Sequence, residues 1–140
     1  MGAQVFTGQV QEYWVRVDLP HVLRSADFVK EAADTRLRVT YRDKGQTGFG
    51  LQTFTATVVV SVDGVAVPLL DTVFDAGSAG PIGASELFRV SSPFTTVGYV
   101  SGLAAGPHAF SSAYRLAGEN LPVVGYVPGS PYFIEIDEVP

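Results

Sequence analysis

The 140-residue chain contains no cysteine, which excludes disulfide staples and thiolate metal sites and leaves its stability to packing alone. Charge is scarce as well: 16% of residues are charged, the net charge is −5, and the nine basic residues are scattered. Phosphate neutralisation needs clustered Lys and Arg, so nucleic acid is not expected as a partner. Long apolar runs are missing, and the longest, such as residues 57–62, fall far short of a bilayer span. No membrane association is expected. The first twenty residues lack a basic start followed by an apolar stretch, so the expected route is synthesis in a cytoplasm without a cleaved signal. Met1-Gly2 does not open a myristoylation motif, because the sixth position is Phe6 rather than Ser or Thr.

Thermolabile residues are few too, with one Met and one Asn (Asn120), while the chain holds nine Pro and Arg outnumbers Lys seven to two. That balance fits a thermophile's menu, and GC-rich coding accounts equally well for the arginine preference.

Helical periodicity is nearly absent, and alternation with period two dominates, as in strands with one buried face. In residues 9–17, Tyr13, Val15 and Val17 share a face opposite Glu12, Trp14 and Arg16. In residues 36–42, Leu37, Val39 and Tyr41 point inward while Arg36, Arg38, Thr40 and Arg42 point outward. Residues 51–63 form a β-branched stretch suited to a central strand. Asp63-Gly64 supplies a two-residue hairpin turn into residues 65–70, and Pro68 places that returning strand at an edge or bulge. The glycine-rich residues 75–85 read as a long loop. Strands are expected again at 86–91, 94–100, 108–116 and 132–139, with a Pro- and Gly-rich loop over 118–131. Residues 25–34 suit either a short helix capped by Ser25 or a strand over residues 26–30, with the pattern leaning towards strand.

Eight or so short strands with no crossover helix favour an antiparallel two-sheet sandwich, all-β with little or no helix. A chain of this length buries roughly two-thirds of the surface it exposes when unfolded, enough for one core. The domain is expected over residues 9–140, preceded by an N-terminal arm of residues 1–8.

Several segments carry a resemblance: Ala33-Asp34-Thr35-Arg36-Leu37-Arg38-Val39-Thr40-Tyr41, the hairpin Val60-Ser61-Val62-Asp63-Gly64, Gly102-Leu103-Ala104-Ala105-Gly106-Pro107-His108-Ala109-Phe110 with Tyr114-Arg115, and the closing Phe133-Ile134-Glu135-Ile136. In this order they resemble the jelly-roll domains of the TNF/C1q type, including those of phage proteins; the family often has Trp where this chain has Tyr114. The resemblance implies a ten-stranded jelly roll that trimerises through aromatic and aliphatic residues on the outward face of one sheet. Trp14, Val59 and Phe133 lie opposite their strands' main apolar sets, as a second buried surface would require. With Tyr99 and Tyr114 they form the set expected at a trimer or partner interface.

Catalytic signals are weak. His21 and His108 are the only histidines, and neither stands in a nucleophile motif; no phosphate-cradling loop or paired-His metal motif occurs. Glu135 and Asp137 share a strand face at a spacing of about 7 Å, and Asp71 and Asp75 flank Phe74 beside the glycine-rich loop; solvated positions explain both pairs. The expectation is a protein that is not an enzyme and needs no cofactor. Its expected role is that of a trimeric capsid decoration protein on the exterior of a phage head, clamping neighbouring major capsid subunits, with Val5 and Phe6 of the arm touching the capsid. A receptor-binding head of a trimeric fibre, or a ligand-binding module of the same fold, is the alternative.

Overall fold

In a computed structural model, the described residues are 3–8, 13–16, 22–49, 54–76, 88–117, 124–127 and 131–140. They form eleven strands: β1 (Gln4–Gly8), β2 (Tyr13–Arg16), β3 (Val22–Lys30), β4 (Arg36–Phe49), β5 (Phe54–Val62), β6 (Val65–Ala66), β7 (Thr72–Ala76), β8 (Phe88–Val100), β9 (Gly106–Ala117), β10 (Val124–Val127) and β11 (Tyr132–Val139). The only helical element among the described residues is a single 3-10 turn, Pro68–Leu70.

One sheet runs β1-β11-β4-β8. The other runs β3-β9-β5, with β6 and β7 both on the far side of β5. Every pairing is antiparallel. Apart from the consecutive β5, β6 and β7, the chain passes repeatedly from one sheet to the other, so that most neighbours within a sheet are distant in sequence. This is a jelly-roll order. A further two-stranded ladder joins β2 to β10.

The alternation read in the sequence sets the core. Leu37, Val39 and Tyr41 of β4 and Ile134 and Ile136 of β11 face Val58, Val60 and Val62 of β5, Phe28 of β3 and Phe110 of β9, all buried. Each such side chain contributes about 1.5–3 kcal/mol relative to full exposure. At the centre, the Tyr41 ring meets Phe94 and Phe110 edge-on, at centroid distances of 5.3 and 5.2 Å.

A polar network crosses this core. Asp43 takes two bonds from Arg24, at 2.9 and 3.2 Å, and one from the Tyr41 hydroxyl at 2.6 Å. The Ser112 hydroxyl lies 2.9 Å from the Tyr41 oxygen, and the Arg24 guanidinium stacks 4.6 Å from the Tyr132 ring centroid. Burial, helped by the neighbouring Asp43 carboxylate, holds the Tyr41 hydroxyl well above the usual phenol range. It therefore stays protonated and donates.

Four expectations are revised. Residues 4–8, read as part of an arm, form the edge strand β1 on β11, because Gln4, Phe6 and Gly8 alternate with Val5 and Thr7 and turn Phe6 onto the core. The returning strand after the hairpin stops at Ala66, since Pro68, without an amide hydrogen, opens the 3-10 turn instead. Residues 86–91 and 94–100 are not two strands: β8 runs unbroken from Phe88 to Val100, tolerating Pro93 because it forms the sheet's edge. Residues 124–127, read as part of a loop, form the strand β10 on β2. The stretch 26–30 is strand, the reading towards which its pattern leaned. The hairpin turn is as expected, with Asp63 and Gly64 at φ of 51° and 77°. The long loop expected over 75–85 lies outside the described residues, apart from the end of β7.

Candidate interaction surface

On one flank of the sandwich, β8 ends the first sheet and β6 and β7 end the second. The Pro68–Leu70 turn bridges them. Leu70 is fully buried and lies against Gly98 of β8, where an added Cβ would stand 2.8 Å from Leu70 Cδ2. Gly98 is thus the gap in β8 that admits the turn. Leu69 points the other way and is 78% exposed.

The strands of this flank carry other exposed apolar side chains: Val65 of β6 at 68%, Val73 of β7 at 63%, and Val97 and Tyr99 of β8 at 57% and 48%. Between the turn and the end of β8 opens a cleft of about 400 Å³, lined by Val62, Val65, Val67, Leu69, Tyr99 and Leu103, with Asp63 at one end. The opposite flank carries a smaller apolar pair, Val5 on β1 and Val29 on β3, each about half exposed. There the Gln4 side chain satisfies both backbone groups of Val29, donating to its carbonyl at 2.6 Å and accepting from its amide at 3.1 Å.

The outward face of the first sheet joins the flanks and mixes charge with apolar surface. Register places Tyr99, Arg38 and Asp137 in one row, Val97, Thr40, Glu135 and Val5 in the next, and Thr95, Arg42, Phe133 and Thr7 in a third. Arg36 stacks 4.9 Å from the Tyr99 ring centroid and Arg42 5.2 Å from that of Phe133. Arg38 pairs with Asp137 at 2.9 Å, an exposed pair worth at most about 1 kcal/mol. The stacked Arg36 leaves Tyr99 about half exposed.

The interface set expected from sequence is only partly gathered here. Tyr99, Phe133 and Val5 share this outward face. Val59 stands half-buried on the outward face of the other sheet, opposite Ala113. Phe6 belongs to the core margin. Trp14 pairs with Tyr126 and Tyr114 with Val58 along the backbone, but both side chains lie outside the described residues. Val59 and Phe133 are half-buried by the chain itself, so the surplus apolar surface falls instead on Val65, Leu69, Val73, Val97 and Tyr99. Sequence reading missed four of these five. The Leu69-Leu70 doublet after Pro68 was the one available signal, since both residues of such a doublet cannot face the same core.

Several titratable groups in the described residues are committed to structure. At the end of the sandwich, His108 places Nδ1 2.5 Å from Asp63 Oδ2 and Nε2 2.7 Å from the Ala104 carbonyl. Asp63 also accepts from the Ala109 amide at 2.8 Å. Hydrogen bonding to Asp63 and to Ala104 raises the His108 pKa, and the His108 and Ala109 bonds lower that of Asp63. The ring has no free nitrogen for a substrate. Nearby, Glu138 accepts from the Glu31 and Ala32 amides and the Thr35 hydroxyl, which hold its carboxyl below the usual range. Asp71 accepts from the Val60 amide at 2.8 Å. Among the described residues no group of three or more His, Asp and Glu side chains is placed to hold a metal ion, and no helix is long and apolar enough to cross a membrane. His21 and the Asp75 side chain lie outside the described residues.

No protein-family model matches this sequence, and no curated protein is detectably similar to it.

Proposed function

We propose that this jelly roll is a structural assembly protein: a homotrimeric decoration protein of a phage capsid that clamps neighbouring major capsid subunits on the head exterior. One observation carries the assembly part of this reading, the gathering of exposed Val65, Leu69 and Tyr99 about one cleft, with Val73 and Val97 also exposed on the strands β7 and β8 that edge the two sheets there. Single exposed apolar residues are ordinary, but a contiguous group marks a surface that is covered by a partner. The smaller apolar pair on the opposite flank, Val5 and Val29, differs from it in composition, which suits a head-to-tail contact between copies; such contacts form a ring when the rotation between copies closes, as in a trimer. The capsid part draws on the motif resemblance to phage jelly rolls. Covering apolar surface between subunits would stabilise a shell by linkage, since the added protein binds only the assembled state.

Sedimentation analysis of the purified chain at micromolar concentration tests this reading, with a trimer as the expected species. A monomer at all concentrations, with or without capsids, overturns it. Cofractionation with virus particles is expected for a decoration protein. A trimer that ignores capsids and marks host cells would be a fibre head instead, and glycan binding by the isolated chain would make it a ligand-binding module.

A further inference from the structure

The cleft on the apolar flank has a wall that one proton can control. Leu103 lines it from the loop between β8 and β9, and Val62, Asp63 and Val65 line it from the β5–β6 hairpin. The loop is bounded by Gly102 and Gly106, both at positive φ, 83° and 122°. These are hinge-like positions, because glycine reaches such angles with little steric cost. Between them, the Ala104 carbonyl is held by His108 Nε2, while His108 Nδ1 faces the Asp63 carboxylate.

Neither partner oxygen can donate when Asp63 is ionised, so both contacts need a hydrogen on the ring, and only the imidazolium carries two. Loss of one proton must break one contact. The Asp63 bond is charge-assisted and reinforced by the Ala109 amide, so it persists as a neutral-histidine bond. The Nε2 lone pair then faces the Ala104 carbonyl, and that contact turns repulsive.

We propose that His108 is a proton-operated latch: protonated, it pins the Gly102–Gly106 loop and keeps Leu103 in the cleft wall; deprotonated, it releases the loop and reshapes the flank through which the protein associates. The last clause rests on the assembly reading above. The latch itself does not.

The groups facing the ring set its working range. Asp63 favours the charged form and so does the Ala104 carbonyl; Lys30 of β3, whose ammonium bonds the Ala32 carbonyl, opposes it; the Phe28 ring covers one side at a centroid distance of 5.7 Å. The net direction is upward from the ordinary histidine value, and that of Asp63 is downward from the ordinary carboxylate value. A raised histidine pKa stabilises the closed loop fully below the unfolded value of 6.5 and loses that contribution as pH rises through the folded value. A lowered carboxylate pKa acts at the other end, losing its contribution only as pH falls below 3.8 and through the folded value. The latch is therefore closed in mildly acidic solution and opens on the alkaline side.

NMR titration of the intact chain is the test. The chain has only two histidines, and His108→Gln identifies which ring signal is which. The expected result is a His108 midpoint above the ordinary histidine range, with the Leu103 and Ala104 amides shifting and exchanging faster with that same midpoint. A midpoint at or below the ordinary value, or loop amides that do not follow it, overturns the latch. In His108→Gln the loop is expected to lose its pH response over this range; a loop that still titrates assigns the effect to another group and also overturns it. Sedimentation over the same pH range separates the two readings. An association constant that changes with the loop's midpoint supports the coupling, and association that is strong but pH-independent overturns it. A chain monomeric at every pH removes the assembly reading while the loop titration judges the latch by itself.

Discussion

At the scale of single residues, the most consequential group is Asp43, because it gathers Arg24 and the Tyr41 hydroxyl inside an otherwise apolar interior. Removing one partner of a buried ion pair is costly, since the attraction that offset part of the pair's desolvation is lost. Asp43→Ala is expected to lower unfolding stability by about 3–5 kcal/mol. Tyr41→Phe removes only the hydroxyl that donates to Asp43 and neighbours Ser112, and about 1–3 kcal/mol is expected. Urea denaturation of both variants measures this, with the midpoint moving and the slope unchanged if folding stays two-state. A Tyr41→Phe variant as stable as the parent would mean that water replaces the hydroxyl, and the network would then be dispensable. Nothing in the sequence pattern singled this cluster out: Arg24 and Asp43 stand 19 residues apart, and Tyr41 reads there simply as a large inward residue.

At the scale of elements, the Pro68–Leu70 turn is held by a missing side chain. An added Cβ at Gly98 meets Leu70 Cδ2 at 2.8 Å and Cγ at 3.2 Å, so Gly98→Ala must displace a fully buried leucine. The expected cost is about 1–3 kcal/mol, read as a lower urea midpoint. Leu70→Ala alone should cost about 2–5 kcal/mol; the double variant should lose less than the sum, because the smaller residue makes room for the new methyl. The turn also shows what sequence reading captures and what it does not. Alternation located β5, β9 and β11, the first half of β4 and, with a helix left open, part of β3, and Asp63-Gly64 fixed one hairpin, because these are local properties. It ended β4 at Arg42, whereas the strand continues through Gly45 and Gly48 to Phe49, in register with β8 as far as Phe88. Low strand propensity there is overridden by a long partner. β1 and β7 escaped notice for a similar reason, as five-residue strands fixed by pairing with β11 and β5.

At the scale of the whole molecule, exposed apolar surface was legible in the sequence as a surplus but not as a place. A valine in an alternating strand declares which face it shares, not whether that face is covered, so Val65, Val73 and Val97 look in sequence like Val58, Val60 and Val62. Only the packing of β6, β7 and β8 around one flank tells them apart. The proposed head-to-tail contact joins that flank of one copy to the Val5 and Val29 flank of the next, and a head-to-tail contact has a property that a symmetric one lacks. Leu69→Glu damages the first patch and leaves the second; Val29→Glu does the reverse. Both positions are more than half exposed, so each variant should fold within about 0.5 kcal/mol of the parent, while its self-association weakens at least tenfold, which is about 1.4 kcal/mol. Mixed in equal amounts, the two variants retain one undamaged pairing, the Leu69 flank of the Val29→Glu chain against the Val29 flank of the Leu69→Glu chain. Sedimentation of the mixture should then show a heterodimer that neither variant forms alone. A two-fold contact through the Leu69 flank would instead leave the Val29→Glu variant dimeric by itself and gain nothing from mixing, so the same pair of samples decides between a ring and a symmetric dimer.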